Sequence, residues 1–425
     1  MRKENSRHIE TLTRARVAPR MVVVTVPFVK VHKHIPSRKS YRGSYSNKFW
    51  QNFTRSPSTL KPESWISADR LREVAARVNY DQPAKVALAS DILTNGAVLG
   101  CRGSARLGTE VRNASSCHEY GERVLDSLEE WLRQKLVLGP LTRQELTELF
   151  PGKQVTVNPI GVRLKANGKA RIIVDMSSPH LDKDELDLDG DVPSSVNSGI
   201  DKRDWPAVMA TTKDVVRLMY KKGAGALFCK VDWASAYKHI HVASSDLQLQ
   251  VISIGGRFFV ERALVFGCVS SPGLYDFIAK LVISLVATEA GADPDDVEQC
   301  LDDVVMVTEA RDPACQRFYH QYRATCKELG IQLAPEGPDK AFPPTTEGTI
   351  LGIEYDSVSF KWRMPEVKAS YMCETLYDII DGVEITNRDA LKLVGRINHY
   401  FPLVPGGKME RFWLAQLGDS ARYGT

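Results

Sequence analysis

"FCKVDWASAY" (residues 228–237) and "CLDDVVMV" (residues 300–307) carry the decision about this chain. In the first, Asp232 closes an apolar run. In the second, Asp302 and Asp303 stand among Leu301, Val304, Val305 and Val307. Carboxylates inside strand-like sequence are costly to bury unless they are paired or bind a cation. Brought to one spot, three acceptor-only groups repel one another, and a divalent metal is the natural neutraliser. That pattern suggests two-metal phosphoryl transfer, in which ions about 3.5–4 Å apart hold the attacking and leaving oxygens. Three surface-turn aspartates are the plain alternative, and the apolar flanks speak against it.

Outward from these strings, helix and strand signals alternate. Helices are expected at about 212–222, 272–289 and 312–329. Strands are expected at 226–232, 247–254 and 257–262, with a hairpin at 298–308 that carries the acid pair at its tip. An earlier hairpin is expected from "PIGVRL" and "ARIIVDM" around Asn167-Gly168, a favoured turn dipeptide. Upstream, "SADRLREVAARV" (67–78) reads as a helix capped by Ser67. A longer helix at about 119–138 is expected to stop at Gly139-Pro140. Residues 102–116 read as a linker. No Rossmann fingerprint is present, so the coarse class is α+β with an antiparallel sheet bearing the acids.

Two acidic clusters look like decoys. "DKDELDLDGD" (182–191) imitates part of a calcium loop, but Val196 stands where a closing Glu belongs, so it reads as a solvated insertion. "DPDD" (293–296) lies in polar, Gly/Pro-rich sequence and reads as a solvated loop.

Charge is uneven. The chain has 425 residues and a net charge of +4, yet residues 1–61 hold 14 Lys and Arg against Glu4 and Glu10. This arm, expected to be largely disordered, is either an electrostatic grip on nucleic acid or a solubilising tail. Its apolar stretch 21–29 contains Pro27 and is too short to span a bilayer, so no membrane partner is expected. An Arg-rich, acid-poor start leaves a mitochondrial transit peptide open. The eight cysteines form no C-x-x-C pair, which argues against a zinc knuckle or a secreted disulfide framework and for a reduced intracellular setting, nucleus or cytoplasm.

Residues from about 120 to 400 resemble a reverse transcriptase of the retrotransposon kind, closest to DIRS-type elements. "NPIGVRLKANGKARIIVDMSSP" (158–179) resembles the fingers hairpin and "SSVNSGI" (194–200) the segment after it. "KVDWASAYKHIHV" (230–242) resembles palm motif A, "ALVFGCVSSPGLYD" (263–276) motif B, and "CLDDVVMV" the paired-aspartate motif C. "GPDKAFPPTTEGTILGIEYD" (337–356) resembles the closing palm segment, and "KLVGRINHYFPLVPGGK" (392–408) a thumb-side segment. Singly each is weak, but the first six, in this order, are specific.

The resemblance implies a right-hand polymerase. Residues 1–61 would be the arm, 62–114 a helical region and linker, 115–365 fingers and palm, and 366–425 a partial helical thumb. The activity would be RNA-directed DNA synthesis from dNTPs on a primed RNA or DNA template. Asp232, Asp302 and Asp303 would be catalytic and would hold two Mg²⁺, with Mn²⁺ as a substitute. Lys165 and Arg171 would contact the triphosphate, and Tyr237 would exclude a 2′-hydroxyl. Phe266 and Gly267 would border nucleotide and template, and Lys340 would donate a proton to pyrophosphate. Each has a plainer reading: a solvated hairpin face, a core tyrosine, an exposed lysine among prolines. Ser270, Ser271 and Pro272 suit a helix start.

Three departures from the pattern stand out: Cys300 where an aromatic often opens motif C, the bulky Trp233 after Asp232, and the insertion at 182–191. The chain stops at Thr425, too soon for an RNase H domain, as in a fragment of a polyprotein or a single-gene relic. Two rival functions remain: an RNA-templated RNA polymerase, and an inactive nucleic-acid-binding relic of a retroelement.

Overall fold

Apolar runs of period 2 and period 3.6 alternate along the chain, and the elements follow them. The computed structural model describes residues 47–51, 53–54, 60–102, 112–165, 168–178, 195–383 and 386–400. Residues 47–366 belong to one compact unit and 367–400 to another.

The first unit opens with α1 (Asn47–Gln51), α2 (Ala68–Arg77), α3 (Pro83–Asn95), α4 (Ser115–Glu119) and α5 (Gly121–Arg133). Then come β1 (Val137–Leu141), α6 (Arg143–Leu149), β2 (Val157–Asn158), β3 (Ile160–Leu164), β4 (Ala170–Val174) and α7 (Thr212–Lys222). The acid-bearing half holds β5 (Leu227–Asp232), β6 (Val251–Ile254), β7 (Arg257–Glu261), α8 (Ser271–Ala290), β8 (Val297–Cys300), β9 (Asp303–Thr308) and α9 (Pro313–Leu329). It closes on β10 (Phe342–Thr345), β11 (Glu347–Ile350), β12 (Ile353–Asp356) and β13 (Lys361–Arg363).

The central sheet has the order β10-β5-β9-β8 and is antiparallel throughout. Helices α7 and α9 pack on it, and α8 packs on α9. A second sheet runs β1-β7-β6-β2, with β2 and β6 parallel. The β3–β4 hairpin and the β11–β12–β13 meander complete the unit. The α+β class and the antiparallel sheet backed by helices are as expected. In the second unit, α10 (Glu366–Ile380) precedes α11 (Asn387–Tyr400). Thr386 caps α11: Asp389 N–H donates to its Oγ1 at 3.1 Å. No helix among the described residues is long and apolar enough to cross a membrane.

Several local expectations need correction. Within residues 1–61, α1 buries Trp50 against Phe53 and Phe259, at centroid distances of 5.3 and 6.1 Å, a contact that the sequence did not announce. Most of residues 1–61, the insertion at 182–191, Asn167 and the thumb-side segment beyond Tyr400 lie outside the described residues. The helix expected over 119–138 ends at Arg133, and Gly139-Pro140 sits inside β1. Pairing of β1 with β7 runs through Val137, Leu138 and Leu141 with a register shift between them, so neither Gly139 nor Pro140 is needed in the ladder. The strand expected from 247 begins at Val251, after a 3-10 turn at Leu247–Leu249. Nor is "DPDD" wholly solvated. Asp296 is buried, and Lys222 Nζ reaches its Oδ2 at 2.6 Å. Ser270 occupies the N-cap of α8 without a side-chain capping bond; its hydroxyl lies 3.3 Å from Cys268 Sγ instead.

An unforeseen strap ties residues 63–67 to the central sheet's neighbourhood. Glu63 N–H donates to His241 Nδ1 (2.9 Å), and His241 N–H donates to Ser64 Oγ (3.1 Å). Trp65 N–H donates to the His239 carbonyl (3.1 Å), and Ser67 N–H to the Leu329 carbonyl (2.9 Å). Both rings are buried, which depresses their pKa values to about 4 for His239 and about 3 for His241.

Candidate active site

Six consecutive residue pairs zip β5 to β9, from Leu227 opposite Thr308 to Asp232 opposite Asp303. Directly paired residues project to the same face, so that register alone brings two of the three acids together. Asp302 sits in the tight turn from β8, where Leu301 takes a left-handed φ of +51°. Its carbonyl accepts from Trp233 N–H at 3.0 Å, which fastens the turn to the end of β5. The hairpin tip expected from the sequence is therefore where the acids meet.

Electrostatics at this spot are strained. Asp232 is 3% exposed, and Asp302 and Asp303 are half-buried. Burial raises the Asp302 carboxyl above the ordinary range, and the charge of Asp232 raises it further, against a partial offset from Lys340 and Arg171. Burial also lifts Asp303 to about 6, although Lys230 pulls the other way. Two lysines bind acids directly: Lys340 Nζ lies 2.6 Å from Asp232 Oδ2, and Lys230 Nζ lies 3.0 Å from Asp303 Oδ1. Burial opposes the Lys340 charge, yet its bond to Asp232 and the nearby acids win, and its pKa is raised.

The hard, all-oxygen donor set with uncompensated negative charge suits Mg²⁺ or Mn²⁺ chemically. The spacing as it stands does not complete a cage. Among the described residues no group of three His, Cys, Asp or Glu side chains is placed to hold a metal ion. The lysines occupy oxygens that a metal would need.

Beside the acids runs a row of rings. Trp233 meets Tyr275 at 5.3 Å, Tyr275 meets Tyr237 at 5.7 Å, and Tyr237 meets Phe266 at 4.8 Å between centroids. The Arg171 guanidinium lies 5.3 Å from the Phe266 centroid and caps the row. Tyr237 is buried on a 3-10 turn that follows Ser235 at φ +57°. Burial and then the Asp302 charge raise its phenol pKa. Trp233 is accommodated by burial, with its indole N–H donating to Tyr322 Oη at 2.8 Å. Phe266 is 41% exposed at the open end of the row.

Of the hairpin cations, Lys165 and Arg171 are exposed on one face of β3–β4, while Val162, Ala170, Ile172 and Val174 are buried on the other. Partial desolvation and then the neighbouring Arg171, Lys169 and Lys340 charges lower the Lys165 pKa. Lys169 instead pairs with Glu130 at 3.0 Å.

Gly267 joins the hairpin to the segment before α8. Its φ is +111°, and a Cβ there would stand 1.8 Å from the Val174 carbonyl oxygen. Val174 N–H donates to the Phe266 carbonyl at 2.9 Å. Sequence reasoning gave Asn197 no role, yet its amide holds this turn. Nδ2 donates to the Gly267 carbonyl (2.7 Å) and to Ser177 Oγ (2.8 Å), while Oδ1 accepts from Val269 N–H (2.9 Å). The available signal was an amide, able to donate and accept at once, in a small-residue segment between two motifs. Lys230 was likewise passed over.

All the predicted site residues thus fall into one region, with Asp232, Asp302, Asp303 and Lys340 at its centre and Arg171, Phe266 and Tyr237 along one side.

No protein-family model matches this sequence, and no curated protein matches it. Among solved structures, the chain is similar to the foamy viral protease-reverse transcriptase dRH in complex with double-stranded DNA. That likeness has 12% identity and a TM-score of 0.47, and covers 84% of this chain and 60% of that one. Similar values hold for the foamy viral protease-reverse transcriptase with double-stranded DNA (12% identity, TM-score 0.47, 84% and 71% covered). With an RNA/DNA hybrid the values are 12%, 0.46, 84% and 46%. This chain therefore spans less than two thirds of the first of these proteins, and a likeness this distant assigns no residue a role.

Proposed function

We propose that this chain is an RNA-directed DNA polymerase of a retroelement, resembling the DIRS-type group, which adds deoxynucleotides to a primer 3′-hydroxyl. The observation that carries the reading is the β5–β9 register, which sets Asp232 against Asp303 with Asp302 in the adjoining turn. The Arg171–Phe266–Tyr237 row beside them supports it. In this reading residues 115–365 form fingers and palm, 366–400 begin a thumb, and a primed RNA or DNA template is the partner.

Asp232 and Asp302 would hold Mg²⁺, with Asp303 beside them. When bound, the ions lower the cost of ionising the primer hydroxyl and stabilise charge on the leaving pyrophosphate. The chain's own groups do the rest. Arg171 and Lys165 bind the triphosphate through charge-assisted hydrogen bonds. Tyr237, wedged between Phe266 and Tyr275, presents a ring edge that a 2′-hydroxyl would strike. Lys340, once free of Asp232, carries a proton to the leaving group.

Primer extension on primed RNA, with dNTPs or rNTPs and Mg²⁺ or Mn²⁺, tests the reading. Extension with dNTPs alone is expected. Preference for rNTPs would make the chain an RNA-templated RNA polymerase, and binding of primed RNA without extension would make it a nucleic-acid-binding relic.

A further inference from the structure

We propose that His239 is a specificity-determining positioning residue: its ring staples the turn that carries Tyr237 and thereby sets how strictly a 2′-hydroxyl is excluded. The inference deepens the polymerase reading and rests on its assignment of Tyr237 to the nucleotide sugar.

Tyr237 stands on a single 3-10 turn, Ala236–His239, entered through Ser235 in the left-handed region at φ +57°. One such turn has few bonds of its own, so its side chains must anchor it. Lys238 does so on one flank: its Nζ lies 2.6 Å from Glu261 Oε2 and 4.1 Å from the Trp131 ring centroid. His239 does so on the other. Its Nε2 lies 2.9 Å from the Gln332 backbone nitrogen, which only donates, so Nε2 accepts. The proton of the neutral ring then sits on Nδ1 and is donated to the Ala236 carbonyl at 3.1 Å. Burial holds the ring's pKa down to about 4 and so keeps one donor and one acceptor, as the two bonds require.

The far end of the staple is itself fixed at the end of β5. The Gln332 carbonyl accepts from Ala234 N–H at 2.9 Å, Trp233 pairs with Leu333, and Ala334 N–H donates to the Asp232 carbonyl at 2.8 Å. His239 therefore ties the residue before Tyr237 to a segment laddered onto that strand. The same ring also reaches Tyr237 by packing. It meets Trp233 at 5.4 Å between centroids, Trp233 meets Tyr275, and Tyr275 backs Tyr237. Bonds and stack close a circuit, and a tilt of Tyr237 away from Phe266 has to break one or the other. An apolar side chain of similar size at 239 would keep the packing and forfeit both bonds.

The ratio of kcat/KM for dATP to that for ATP, taken by primer extension with the full chain, tests this, because lost stability alone scales both substrates together. His239→Leu is expected to lower the ratio about fivefold, while His239→Gln, whose amide can both donate and accept, should stay within about twofold of the parent. In a Tyr237→Ala background, His239→Leu should lower it no further. Should His239→Leu fail to fold, His239→Asn, too short to reach Gln332, should show the same loss. An unchanged ratio in the folded variant overturns the proposal, as does a His239→Gln variant as lax as His239→Leu, or an equal further loss in the Tyr237→Ala background. If the parent extends no primer, the affinities for dATP and ATP on the full chain with primed template, from equilibrium dialysis, take the place of the rates. A preference for dATP that His239→Leu removes would then sink the polymerase reading and leave the staple standing. A parent that prefers neither nucleotide, or prefers ATP, overturns the staple.

Discussion

The acids and the hairpin cations of this site ride on elements of opposite character. Asp232 and Asp303 end two strands in the middle of a four-stranded sheet, paired over six residues and packed against helices. Lys165 and Arg171 lie on a two-stranded hairpin with one bare face, joined to the segment before α8 through the backbone contacts of Val174 with Phe266 and Gly267. The ordering entropy of the acids is met when the sheet folds, so their geometry is preset. The cations keep rotamer freedom until an anion fixes them. A site built this way holds its acids rigid and leaves its hairpin cations adjustable.

The contrast can be broken from either side. Asp302→Asn should abolish the rigid half's function while leaving the fold intact. Loss of primer extension by roughly 10³-fold, about 4 kcal/mol of barrier, is expected with an unchanged circular dichroism spectrum. Gly267→Ala attacks the joint. With its Cβ driven into the Val174 carbonyl at an unfavourable φ, unfolding should be easier by about 3 kcal/mol, measured by denaturant titration. A parent-like midpoint would mean that the hairpin is not held to the rest of the unit there.

Acid should loosen what anchors the rigid half. His239 and His241 are neutral in the folded chain, while the unfolded chain takes up their protons below about 6.5. Stability should be full above that pH and fall as pH drops toward 4 and then 3, with roughly 2 kcal/mol lost per ring by pH 5. His241→Gln should flatten this limb in unfolding curves taken at pH 7 and pH 5. The adjustable half should answer by degrees. Arg171→Gln is expected to raise the nucleotide KM about tenfold with kcat little changed. Tyr237→Ala should relax rNTP exclusion by roughly tenfold; exclusion as strict as the parent's would remove the steric role from this ring.

Much of this was legible in sequence because it is local. Apolar runs ending in Asp232 and flanking the Asp302–Asp303 pair forecast strand and hairpin. What was missed has partners far along the chain. Trp50 finds Phe259, Asp296 finds Lys222, and Asn197 finds Gly267, each across some 70 residues or more, and no local pattern encodes such meetings. Pro140 misled for a related reason. Proline forbids a helix interior, but a strand tolerates it where the partner's register skips. Lys230 lay inside a quoted motif and was unreadable, since only the pairing of β5 with β9 brings it within 3.0 Å of Asp303.

The strap at residues 63–67 bears on how the chain can be cut. A fragment starting at the obvious motif boundary near residue 115 would strip the Glu63 N–H from His241, the Trp65 ring from His239 and the Ser67 N–H from Leu329. It would also deprive Arg262, 1% exposed, of the Lys61 carbonyl that its guanidinium reaches. A fragment that keeps these contacts therefore has to begin before Lys61, and truncations starting later should unfold at lower denaturant than the full chain.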